Sequence, residues 1–127
     1  MSRGGITTQI VDNSVVALGD NEFETGLINV PGNSTIKKGT VLQRLPSGKF
    51  APVTDAEDET PRAVNPFDIP NTEAAARDLS IRAIISGPVR ADLLLIDDRV
   101  TTAEENDLIR DHALIIPVKQ NDISRTE

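Results

Sequence analysis

Apolar residues recur along this chain in short runs separated by turn residues, a pattern that predicts many brief strands rather than long helices. Residues 22–30 are strand-like and stop at Pro31-Gly32-Asn33. Residues 36–54 then read as a hairpin. Gly39 punctuates the entry to its first arm, and Pro46-Ser47-Gly48 supplies a fixed φ followed by a permissive one, as a tight reversal requires. Alternation places Val41, Gln43 and Leu45 opposite Leu42 and Arg44 on one arm, and Phe50 and Pro52 opposite Ala51 and Val53 on the other. Neither face is cleanly apolar, which suits a small barrel or an interface better than an isolated sheet.

Further along, the acidic run Asp55-Ala56-Glu57-Asp58-Glu59 before Pro61 predicts a solvated loop, and 62–64 a brief strand ahead of Pro66 and Pro70. Residues 73–78, with three consecutive alanines at 74–76, have the propensity for one helical turn or more, with the alanines packing one face. Residues 79–86 give the clearest strand, and Gly87-Pro88 is expected to bend it into a second one over 89–96, as at a barrel corner. Thr102-Ala103-Glu104-Glu105 has the spacing of a capping box, predicting a helix of about ten residues that ends near His112. A closing strand over 114–118 follows. The expected organisation is an N-terminal arm over 1–22, one β-rich domain over 23–118 and a polar tail over 119–127.

At 127 residues the chain holds one domain. Its aromatics are three Phe with no Tyr or Trp, which argues against a surface that stacks nucleic-acid bases. A formal charge of −7 argues against a broad phosphate-binding field. The absence of Cys excludes disulfides, thiolate chemistry and Cys-based zinc sites. With no charged start followed by a long apolar run, and no apolar stretch approaching the ~20 residues of a span, the expectation is a soluble, unprocessed chain without a membrane partner.

Candidate chemistry is sparse. A Ser-His pair would have to centre on His112, the one histidine, and no Gly-x-Ser-x-Gly elbow accompanies it. A helix C-terminal position, complementing the dipole, is the favoured reading. Asp97-Asp98 and the 55–59 run lack the alternating ligands and distal Glu of a calcium loop, so they read as turn acids. Gly4-Gly5 and Gly32 carry no phosphate-cradling pattern around them. No catalytic residue, cofactor or metal is expected.

The order of certain steps carries more. Ile36-Lys37-Lys38-Gly39-Thr40-Val41-Leu42, then Gly48-Lys49-Phe50-Ala51-Pro52-Val53, then Ala63-Val64, then Ile84-Ile85-Ser86-Gly87-Pro88-Val89 leading into Leu93-Leu94-Leu95, resembles the lambda D-like head-decoration proteins of tailed bacteriophages. The resemblance covers roughly residues 24–118, and this chain departs from it in lacking the Trp and Tyr that some members carry. It implies a small β-clip-like barrel or sandwich with one or two short helices and an extended N-terminal arm. It also implies a homotrimer on the outer surface of an expanded head, made in the host cytoplasm, with the major capsid protein as partner. Gly39, Gly48 and Gly87 would be structural turns.

The β-branched segment Ile6-Thr7-Thr8-Gln9-Ile10-Val11 has strand propensity but few apolar neighbours, so it is expected to pair with a partner's sheet edge. A frayed terminus is the plainer alternative. Two other classes compete with a capsid cement: a tail-tube or baseplate β-domain, and a small trimeric β-clip enzyme of the dUTPase kind. The enzyme would need an aromatic ring over a base and a Gly-rich phosphate motif.

Overall fold

The computed structural model describes residues 16–119. The fold is mainly β, with a closed five-strand barrel and one α-helix. In chain order the elements are β1 (Glu22–Val30), β2 (Ser34–Ile36), β3 (Val41–Arg44), β4 (Phe50–Pro52), β5 (Ala63–Val64), β6 (Ile69–Asn71) and β7 (Arg77–Arg90). A 3₁₀ turn (Ala91–Leu93), β8 (Leu95–Ile96), β9 (Arg99–Val100), α1 (Ala103–His112) and β10 (Leu114–Val118) complete it. The main sheet runs β10-β7-β1-β4-β3-β5, and β5 pairs back to β7 through Val64 and Ile84, which closes the barrel. Closure removes most of the open sheet edges that would otherwise template further pairing.

The mixed faces of the hairpin have a simple cause: apolar side chains are buried on both sides of the barrel wall. Ile28, Val30, Leu42, Phe50, Ala63, Ile81 and Ala83, drawn from all five barrel strands, fill the interior. Val41, Val64 and Ile84 point outward into a second cluster, where Ile109 of α1 and Ile115 of β10 cover them. Consecutive residues such as Val41 and Leu42 therefore serve different cores. The reversal itself is as expected, with Leu42 opposite Pro52 and Arg44 opposite Phe50. Gly39 and Gly48 take φ of 87° and 93°.

Two sequence expectations are corrected. Residues 73–78 form no helix: Arg77 and Asp78 already belong to β7, and the three alanines are exposed. The preceding loop is held by tertiary bonds that local propensity does not contain. Buried Asn71 donates from Nδ2 to the carbonyls of Val30 (3.0 Å), Pro31 (3.2 Å) and Ala75 (3.0 Å), while its Oδ1 accepts from the Glu73 N–H at 3.0 Å. Gly32 lies so close that a Cβ there would fall 1.9 Å from the Ala74 carbonyl oxygen.

The second correction concerns Gly87-Pro88, which does not separate two strands. It lies inside the single 14-residue strand β7, and 91–96 becomes a 3₁₀ turn and a two-residue strand. Instead of breaking, β7 exchanges partners. Glu22 faces Ser86 and Phe23 faces Ile84, so Ile85 has no opposite on β1 and bulges. Beyond it, Ser86 to Arg90 pair in parallel with Leu114 to Val118. The extra residue shifts the phase of the strand: Ile84 and Val89, an odd number apart, both reach the outer cluster. Asn21 Nδ2 secures the kink by donating to the carbonyls of Ser86 (3.1 Å) and Pro88 (2.9 Å) around Gly87, whose φ is 100°.

Candidate interaction surface

A cleft lies at the Phe50 end of the barrel. Phe50 is buried, and the Arg44 guanidinium sits 4.4 Å over its ring while pairing with Glu24 at 2.7 Å and donating to the Gly48 carbonyl at 2.9 Å. Arg62, Ile85, His112, Ala113 and Leu114 complete a cleft of about 240 Å³. Arg62 makes no ion pair among the described residues. His112 is the last residue of α1, the helix-end position expected for it.

Beside this cleft β10 forms a ledge. Ile115 and Pro117 are buried, whereas Leu114 is 76% exposed and Ile116 50% exposed on the opposite side. Pro117 decides how such a ledge can be used. It has no N–H, and its carbonyl accepts from Arg110 Nη2 at 3.4 Å, so the outer edge of β10 is poor for strand addition. What remains open is a row of aliphatic side chains, which suits packing against a protein surface.

A second exposed anchor is Phe67, 74% exposed on the β5–β6 loop. Buried Asn65 positions that loop: its Nδ2 donates to the Lys37 carbonyl at 3.0 Å, and its Oδ1 accepts from the Phe67 N–H at 3.4 Å. Ser80, Ile81 and Arg82 lie beside it, and the Arg82 guanidinium stacks 4.5 Å over Phe23. An aromatic held outward by a buried amide is the kind of residue that anchors an interface.

At the other end, α1 opens on the predicted capping box. The Glu105 N–H donates to Thr102 Oγ1 at 3.2 Å, and the Thr102 N–H donates to Glu105 Oε1 at 2.9 Å. Arg99 adds a bidentate pair at 2.9 and 2.7 Å, and this is the main reason the Glu105 carboxyl sits below its ordinary range. Glu59 is lowered chiefly because its carboxylate accepts the Thr54 N–H at 2.7 Å, an arrangement that gives the acidic 55–59 loop its shape. Asp97 and Asp98, with φ of 56° and 61°, are the turn of the β8–β9 hairpin. Among the described residues no group of three or more His, Cys, Asp or Glu could hold a metal ion.

Of the residues singled out from sequence, Gly39, Gly48 and Gly87 all occupy turns or kinks that need positive φ. Ile6, Thr7, Thr8, Gln9, Ile10 and Val11 lie outside the described residues. The described end of the predicted arm is joined to the domain. Val16 is buried, its carbonyl accepts from the Arg90 N–H at 3.0 Å, and Leu18 donates to the Pro88 carbonyl at 3.1 Å. Leu114, Ile116, Arg62 and Phe67 were missed because an apolar residue in a strand reads as core unless the topology is known. The Pro117 signal was present, since proline within a strand-like run marks an edge. No family model, curated protein or solved structure matches this chain.

Proposed function

We propose that this chain is a structural protein of a virus particle, a head-decoration or cement protein of a tailed bacteriophage. It binds the outer surface of the expanded head at local threefold positions, as a homotrimer seated on the major capsid protein. The observation that carries this reading is the ledge: Leu114 and Ile116 are held in solvent on a strand whose edge Pro117 and Arg110 close. That arrangement serves a contact between folded surfaces, and the succession of steps from Ile36 to Leu95 directs it to a phage head. A charge of −7 suits an outer face better than contact with packaged DNA.

In this role the domain performs no chemistry. Its contribution is binding free energy across capsomer boundaries, and the β-branched segment Ile6, Thr7, Thr8, Gln9, Ile10 and Val11 adds a strand to the capsid protein. Mixing the purified chain with undecorated expanded heads tests this. Saturable co-sedimentation, with heads that withstand higher temperature or chelator concentration, is the expected result, and heads that sediment bare would reject it.

A further inference from the structure

The two surfaces flanking α1 differ in their unbalanced charge. At the helix C-terminal end, the ledge residue Leu114 stands beside Arg62 and His112. Near its start, Glu57, Glu104 and Asp107 surround Leu108 in an open notch of about 440 Å³. In the ledge cleft Glu24 is paired with Arg44, which leaves Arg62 as its unbalanced charge, whereas in the notch Asp107 is paired with Arg110, which leaves Glu57 and Glu104. A charge of −7 makes copies of this chain repel unless they meet where the signs differ.

We propose that the occupant of the ledge is a second copy of this chain, with Leu114 of one copy packed on Leu108 of the next. Arg62 then faces Glu57 and Glu104 across the contact. The aliphatic pair supplies the buried centre and the charges form its rim, where they set orientation and register. Because the two patches differ, the contact is heterologous, and repetition closes a ring when the rotation permits. The inference rests on the reading of the chain as an assembling protein, and it names the surfaces that meet.

The chain has no cysteine, so single cysteines report proximity without interference. Leu114→Cys and Leu108→Cys proteins, mixed at high concentration under mild oxidation, are expected to form the mixed disulfide in preference to either homodimer. The mixed yield should exceed that of Leu114→Cys with the remote Ser47→Cys about tenfold. Should Leu108→Cys lower the thermal midpoint, Glu57→Cys takes its place. Arg62→Glu should weaken the association about tenfold, and adding Glu104→Arg should restore it. Mixed yields no higher than the Ser47→Cys control, or dominant Leu114→Cys homodimers, would overturn the proposal. Native mass separates this from the head-binding reading: three copies support both, whereas two copies joined by the mixed disulfide keep this contact and count against the threefold assembly.

Discussion

The Phe50 ring lies across Gly26: a Cβ on Gly26 would stand 2.9 Å from Cε2 and 3.1 Å from Cδ2 of that ring. Phe50 is 1% exposed and Arg44 seals it from outside, so the ring has nowhere to retreat. Gly26→Ala should therefore cost about 1 to 3 kcal/mol by overpacking. Combined with Phe50→Leu, it should cost less than the sum of the two single changes. Urea unfolding of the four proteins checks this, and simple additivity would mean that the ring and the glycine do not compete for space.

Gly39 and Gly48 have similar φ but different surroundings, so they should respond differently to alanine. At Gly48 an added Cβ meets nothing within 4 Å, and the cost is the backbone's alone, about 1 to 2 kcal/mol. At Gly39 the Cβ would fall 1.8 Å from the Leu93 carbonyl oxygen. Gly39→Ala should then lower the thermal midpoint far more than Gly48→Ala. Equal effects would contradict the close approach of the 36–40 and 91–95 segments.

The capping box of α1 predicts that Thr102→Ala destabilises by about 0.5 to 2 kcal/mol and, if the domain binds phage heads as proposed, leaves that binding unchanged. Equilibrium unfolding measures the first part and head binding the second. A variant of unchanged stability that no longer binds would make this helix start an interface.

Acid should expose two carboxylates. Glu105 and Glu59 are both held below the ordinary Glu value in the folded chain, by Arg99 and by the Thr54 N–H respectively. A depressed folded value contributes stability that is present above the unfolded pKa of about 4.3 and lost as pH falls through the folded one. The thermal midpoint should consequently decline below about pH 5, and Glu105→Gln, which keeps the cap but loses the charge, should flatten that decline. A parallel pH profile for the variant would remove Glu105 as a cause.

Much of this architecture was legible because it is written locally. The Ser47-Gly48 reversal, the Thr102–Glu105 box and the Pro31-Gly32-Asn33 stop depend on neighbours in sequence, and each forms as read. What failed depends on distant partners. The alanines at 74–76 have helix propensity, yet the Asn71 amide and Gly32 hold their loop, and nothing in residues 73–78 announces either. The Ile85 bulge was equally hidden: Gly87-Pro88 looked like a corner, whereas Asn21, far away in sequence, turns it into a change of partner within one strand. Exposure of Leu114 and Ile116 follows from β10 lying outside the closed barrel, which is a property of topology and not of composition.

The boundary between arm and domain gives a further expectation. Val16 is buried and bound to Arg90 through its carbonyl, so removing residues 1–12 should leave the domain folded, whereas Val16→Asp should unfold or strongly destabilise it. If the arm adds a strand to the capsid protein, the truncated chain should occupy heads poorly and protect them less against heat. Full occupancy without residues 1–12 would reduce that segment to a frayed end.

Electron cryomicroscopy of expanded phage heads mixed with this chain tests the central claim most directly. The proposal predicts density for a domain of this size on the outer face of the expanded head, in groups of three at local threefold positions, with the N-terminal segment paired to the major capsid protein. Density in the tail, in rings of six, or none on the shell would contradict it.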